Sequence, residues 1–128
     1  MENTQQNKKV VIIEDDEQFS RVYSIRLQQD GIQTVLAQNG EEGLAKIIAE
    51  KPDLVLLDLM LPKKDGFWVL EEVRKDPAVS GIPIIVLSNL GQKSDTDRAK
   101  KLGATDYLVK ADVSIQQIAE AVKKYLFS

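Results

Sequence analysis

Neither cysteine nor histidine occurs anywhere in the 128 residues. Without thiols there is no disulfide framework, no thiolate metal site and no cysteine nucleophile. Without imidazole there is no Ser-His hydrolase triad, no zinc–histidine site and no phosphohistidine relay inside the chain. Long apolar runs are also missing. None approaches the roughly 20 residues that cross a bilayer, and the polar start from Met1 to Lys9 has no signal-peptide core. Nor is there an excess of positive charge. A net charge of −3 argues against nucleic acid or an anionic membrane as the main partner.

What is present fits a soluble globular protein, with 43% apolar residues to build a core and 29% charged residues to cover it. The composition predicts a cytoplasmic chain. No long linker, repeat or low-complexity stretch divides it, so one domain over 1–128 is expected, with its core at about 9–127.

Five strand-length apolar runs recur: Val10–Ile13, Thr34–Ala37, Leu54–Leu57, Ile82–Leu87 and Tyr107–Val109. Segments of helical period lie between them. The first carries Phe19, Val22, Tyr23 and Leu27 and stops at Asp30-Gly31. The second opens on Asn39-Gly40-Glu41-Glu42, which has the residue types of a capping box, and carries Leu44, Ile47 and Ile48. The third runs from about Gly66 to Asp76 with Phe67, Leu70 and Val73 on one face. The fourth, roughly Ser94 to Leu102, is polar and ends in lysines before Gly103. The last, about Ser114 to Phe127, carries Ile115, Ile118, Ala119, Val122 and Leu126.

Strands alternating with helices through short loops predict a parallel α/β sheet covered on both faces. Runs one, three and four are apolar throughout, as central strands are. Runs two and five have polar flanks and read as edges. The five-stranded order 2-1-3-4-5 satisfies this, the flavodoxin-like doubly wound fold.

All carboxyl ends of such a sheet share one edge, where ligands bind. Run one ends in Glu14-Asp15-Asp16, run three in Asp58, run four in Ser88 and run five in Lys110. Each alone has an ordinary explanation. Asp16 reads as the N-cap of the first helix, Ser88 as a loop serine, Lys110 as a solvated edge lysine and Tyr107 as a half-buried edge aromatic. Together they are a carboxylate cluster with a hydroxyl and an ammonium. Crowded carboxylates repel unless a proton or a cation intervenes, and Mg²⁺ is suited to one or two carboxylates plus water and phosphate oxygens. These are the parts for phosphoryl transfer onto a carboxylate.

Glu14-Asp15, the stretch Asp58-Leu59-Met60-Leu61-Pro62 with Gly66, Ser88 thirty positions after Asp58, and Tyr107-Leu108-Val109-Lys110 carry a resemblance. From Lys9 to Tyr125 the sequence resembles the receiver domain of response regulators in two-component signalling, a CheY-like fold. The resemblance implies that Asp58 accepts the phosphoryl group. It implies Mg²⁺ held directly by Asp15, Asp58 and the Met60 backbone carbonyl, and through water by Glu14. Lys110 would pair with Asp58 and then hold the phosphoryl oxygens. The Ser88 hydroxyl would turn toward the phosphoryl group, with Tyr107 moving inward as the aromatic switch.

The implied partners are a sensor histidine kinase or phosphotransfer protein and a downstream protein target met by the helix 4/strand 5/helix 5 face. No nucleic acid or membrane is expected as a partner of this chain. The only catalysis implied is the domain's own phosphorylation and dephosphorylation. A dehalogenase-like phosphatase would also use a strand-end aspartate and Mg²⁺, but it needs an acid two positions on, where this chain has Met60. A pseudo-receiver would not need Asp15, Asp58, Ser88 and Lys110 intact. No effector domain follows the last helix, so the chain reads as a free-standing receiver or one cut from a longer regulator.

Two departures from the family pattern stand out. Proline, often cis, usually follows the lysine; here it is Ala111, and a cis bond before alanine costs about 2.5–4 kcal/mol, so trans is expected. The positions two past Asp58 and two past Ser88, which flank the approach of hydrolytic water by this resemblance, are the apolar Met60 and Leu90. That predicts a long-lived acyl phosphate.

Overall fold

The structure, a computed structural model, describes residues 7–127. The reading of the polar N-terminus therefore lies partly outside the described residues, as do both ends of the 1–128 domain assignment. Among the described residues the order is β1 (Lys9–Ile13), α1 (Glu17–Gln29), β2 (Gln33–Ala37), α2 (Gly40–Glu50), β3 (Leu54–Leu57), α3 (Gly66–Lys75), β4 (Ile84–Ser88), α4 (Lys93–Lys101), β5 (Asp106–Val109) and α5 (Ile115–Leu126). The five strands form one parallel sheet in the order β2-β1-β3-β4-β5. This is the flavodoxin-like arrangement, with β2 and β5 at the edges. No helix among the described residues is long and apolar enough to cross a membrane.

Strand alternation divides the core into two layers. Val11, Ile13, Val55, Leu57, Ile84 and Val86 pack with Ile47 of α2, with Phe67, Leu70 and Val73 of α3, and with Ala99 of α4. Val10, Ile12, Leu54, Leu56, Ile85 and Leu87 pack on the opposite face with residues of α1 and α5. β3 and β4 are buried from end to end, because helices cover them on both sides.

The helix ends follow local chemistry. Asp16 accepts hydrogen bonds from the Gln18 and Phe19 amides, and Asn39 accepts one from the Glu42 amide. The Glu42 carboxylate returns its contact to the Gln38 amide, one residue before the cap. Ser114 and Gln117 complete a reciprocal capping box. Gly103 closes α4 at φ +108°, a conformation that glycine adopts without penalty.

One face expectation is corrected. The buried side of α1 is Ser20, Tyr23, Ser24 and Leu27, whereas Phe19 and Val22 remain 45% and 49% exposed. The Ser24 hydroxyl meets the Thr34 hydroxyl of β2 at 2.6 Å, so small polar residues let the helix sit close on that side. Ile48 of α2 is likewise exposed rather than core.

The loop from Asp58 to Asp65 is clamped by close backbone approaches. A Cβ on Gly66 would lie 2.4 Å from the Asp58 carbonyl oxygen, and one on Gly40 would lie 2.0 Å from the Lys64 carbonyl oxygen. The start of α2 and the start of α3 thus hold this loop from two sides, with Lys63 at φ 68° between them. Gly40→Ala should cost about 1–3 kcal/mol, the range for overpacking, whereas Gly81→Ala, with nothing near its missing Cβ, should be near neutral. Urea unfolding of both variants checks this. Equal midpoints would show that the clamp is not tight.

Candidate functional site: an acidic pocket at the carboxyl edge of the sheet

The pairing of β1 and β3 continues one residue past the strands, with the Asp58 amide donating to the Ile13 carbonyl at 3.0 Å. That bond fixes the backbone of Asp58 beside Glu14, whose own amide donates to the Ala37 carbonyl. Two carboxylates are thereby set side by side and buried. Lys110 leaves β5 and reaches back across the end of β4 to meet both. Its ammonium donates to Asp58 Oδ2 at 2.8 Å. Glu14 Oε1 lies 2.6 Å from the same nitrogen, an ion pair in length although its angle falls outside hydrogen-bond geometry, and it has no other polar partner.

The remaining oxygens are satisfied locally. Asp58 Oδ1 accepts the Met60 amide at 3.0 Å, and Glu14 Oε2 accepts the Asp16 amide at 3.1 Å. Asp15 stays exposed at the rim. One oxygen from each of Glu14, Asp15 and Asp58 lies within 4.8 Å of the others. Three carboxylates against one ammonium leave an anionic, all-oxygen donor set, which fits a hard divalent cation such as Mg²⁺. The pocket is about 490 Å³ and is lined by these residues with Asp16, Phe19, Met60, Asn89 and Lys110.

Electrostatics follow from burial. Desolvation pushes the Glu14 carboxyl above its ordinary range and Asp58 adds repulsion, while Lys110 and the Asp16 amide pull the other way. For Lys110, burial opposes the charge, but the hydrogen bond to Asp58 and the contact with Glu14 outweigh it and hold the ammonium above the usual lysine range. Tyr23 beneath the pocket is pushed up to about 12, first by burial, with the nearby carboxylates adding to it against the pull of Lys110.

Ser88 is fully buried at the end of β4, where its hydroxyl oxygen lies 3.4 Å from the Leu90 amide. The Tyr107 hydroxyl donates to the Leu90 carbonyl. Both therefore contact one peptide segment. The Leu90 side chain does not line the pocket; it continues the even-numbered face of β4 and packs against the core with α2, α3 and α4. Asn89, of opposite parity, takes that wall. Asp16 caps α1, and the Lys110–Ala111 bond is trans, with no cis bond among the described residues. A 3-10 turn over Lys110–Asp112 follows β5 directly.

Two residues at the site escaped the sequence reading. The Phe19 ring lies 4.9 Å from the Lys110 nitrogen, a cation–π contact, and stacks on Tyr23. Its helical spacing had placed it in the core; its position three residues past an N-cap at a strand end was the available clue. Phe19, Asn89 and Lys110 also border a second, apolar cleft of about 360 Å³ between α1 and α5.

A doubly wound parallel sheet with carboxylates, a hydroxyl and an ammonium gathered at its carboxyl edge defines a class of phosphoryl-handling α/β domain. Residues 10–123 match the response regulator receiver domain, and the chain belongs to that family, the receivers of two-component signalling. It is 43% identical over 103 residues to the probable transcriptional regulator ycf27 of Guillardia theta, covering 80% of this chain and 39% of that protein. Its fold superposes on a putative response regulator from Chloroflexus aurantiacus with a TM-score of 0.87 at 30% identity, covering 95% of this chain and 99% of that one. It also superposes on the BeF3-activated N-terminal receiver domain of Klebsiella pneumoniae RstA, with a TM-score of 0.86 at 29% identity over 94% of this chain and 100% of that one. The chain spans about two fifths of the length of the first of these relatives. Receivers of this family take Mg²⁺ in an acidic pocket, and Glu14, Asp15 and Asp58 form such a cluster here.

The raised Lys110 gives a pH signature. A lysine that holds its proton more tightly in the fold contributes stability that is complete below the ordinary lysine range, about pH 10. That contribution is lost as pH climbs through and beyond it. In metal-free buffer, the urea midpoint of the wild type should fall further between about pH 8 and about pH 11 than that of Lys110→Met. Equal falls would show that the ammonium is not stabilised by its carboxylates.

Proposed function

We propose that this chain is a single receiver domain, over 1–128, that switches by phosphorylation of Asp58. A sensor histidine kinase or phosphotransfer protein supplies the group from a phosphohistidine. An Asp58 oxygen attacks the phosphorus, the N–P bond breaks, and the electron pair returns to the donor imidazole. The observation that carries this reading is the buried Asp58 carboxylate joined to Lys110 at 2.8 Å in an acidic pocket.

Asp15, Asp58 and the Met60 carbonyl would hold Mg²⁺ directly, and Glu14 through water. When bound, the ion supplies positive charge to the phosphoryl oxygens. Lys110 moves from the Asp58 carboxylate to the phosphoryl oxygens and keeps Glu14 as its second partner. The Ser88 hydroxyl leaves the Leu90 amide for the phosphoryl group. Because the same peptide segment carries the Tyr107 contact, the rearrangement reaches β5 and the α4/β5/α5 face. A partner that prefers the rearranged face shifts the equilibrium by its differential contact alone.

The apolar cleft beside the pocket suits a donor protein, since it is continuous with the pocket through Phe19, Asn89 and Lys110. The downstream target is a protein rather than nucleic acid, in keeping with the net charge of −3. The domain is cytoplasmic, a phosphoprotein, and acts on no substrate other than itself. Met60 shields the phosphoryl group from water and lengthens its life, while the Leu90 side chain, expected to flank the same approach, packs against the core instead.

Incubation with acetyl phosphate, with and without Mg²⁺, followed by intact mass tests the reading. One phosphoryl group should be gained with Mg²⁺ and none in Asp58→Asn. Uptake that persists in Asp58→Asn overturns the assignment.

A further inference from the structure

Met60 stands apart among the side chains of the pocket. It is 55% exposed, lines the acidic pocket, and is anchored by its amide to Asp58 Oδ1 at 3.0 Å. The chain has two methionines, Met1 and Met60, and no cysteine. A peroxide therefore meets no thiol that would consume it first, and the thioether it meets at the pocket is that of Met60. Hydrogen peroxide is neutral, so the carboxylates around the pocket do not repel it. The side chain is largely in solvent, so making it polar removes little packing from the core.

We propose that Met60 is an oxidation site through which peroxide shortens the life of the phosphoryl group on Asp58. The sulfur lone pair attacks one peroxide oxygen, the O–O bond breaks, and the other oxygen takes up the proton from the transferred oxygen and leaves as water. The sulfur is oxidised to the sulfoxide and the peroxide is reduced. The inference rests on Asp58 being the phosphorylated residue. A thioether is a weak acceptor, and as an apolar group at the pocket it obstructs water. The sulfoxide is polar and accepts hydrogen bonds strongly. At the same position it orients water toward the phosphorus, the role a polar side chain plays in hydrolysis of such groups. The change is reversible, because sulfoxide reductases restore the thioether. The phosphorylated state thus carries a redox-sensitive clock.

The test uses wild type, Met60→Leu, which is bulky and apolar without sulfur, and Met60→Gln, which presents a neutral acceptor. Each is treated with hydrogen peroxide, and peptide mass mapping locates any added oxygen. After peroxide removal, each is loaded with acetyl phosphate and Mg²⁺, the donor is removed, and decay of the phosphorylated mass is followed. Oxidised wild type should decay severalfold faster than untreated wild type, and a methionine sulfoxide reductase should restore the slow rate. Met60→Leu should show no response to peroxide, and Met60→Gln should decay fast without it. Met60→Leu retains Met1, so it also controls for oxidation there. Equal decay of oxidised and untreated wild type, or an equal response in Met60→Leu, overturns the inference while leaving the phosphorylation reading intact. If untreated wild type takes up no phosphoryl group, the phosphorylation reading fails and this inference falls with it.

Discussion

The Lys110 ammonium lies between two carboxylates that come from other strands, and the geometry of the pocket depends on it. Glu14 follows β1, Asp58 follows β3, and Lys110 follows β5 on the far side of β4. Only a sheet that brings all carboxyl ends to one edge lets a single side chain tie three strands together. Removing the ammonium would leave two buried carboxylates facing each other, which is far costlier than losing an exposed ion pair. The other lysine pairs among the described residues are partly buried, as Lys9–Glu50 is, or exposed, as Lys93–Asp97 on α4 is, and contribute less by comparison.

That tie also makes the pocket responsive. Lys110 has two anionic partners, so it can exchange one without losing the other. Under the proposed function a phosphoryl group on Asp58 would change what the lysine holds, and the Ser88 hydroxyl at the end of β4 would be free to turn, because its present contact, 3.4 Å from the Leu90 amide, is long. A weak contact is easily given up. The Leu90 backbone joins the end of β4 to Tyr107 on β5. On the other side, the clamp at Gly40 and Gly66 holds the Asp58 loop, so the proposed response would be directed toward α4 and β5.

The fold was legible because its signals are periodic and local. Apolar runs, caps and helix stops all point the same way, and β3 was placed to the residue. Asp58, Glu14, Asp15 and Lys110 were legible because topology alone carries strand ends to one edge. Contacts that depend on side-chain parity and helix rotation were not. Leu90 sits two residues past Ser88, but strand alternation sends it into the core and turns Asn89 to the pocket. Phe19 has core spacing, yet Ser20 and Ser24 take the buried face and leave it over Lys110. Arg74 left no trace in sequence. Its guanidinium donates to the carbonyls of Ser80, Ile82 and Gly103, tying α3 to the start of β4 and the end of α4, and burial lowers its proton affinity. Nothing in an exposed-helix pattern marks an arginine that folds back onto backbone.

The most direct measurement is nitrogen-15 NMR of the lysine ammonium groups in metal-free protein. A buried ammonium held by two carboxylates exchanges its protons slowly, so one protected signal should appear near neutral pH and vanish in Lys110→Met. Adding beryllofluoride to the Mg²⁺-loaded wild type should shift that signal, whereas in Asp58→Asn, which lacks the acceptor carboxylate, beryllofluoride should leave the lysine signals unchanged. Absence of a protected ammonium, or the same shift in Asp58→Asn, would contradict the account.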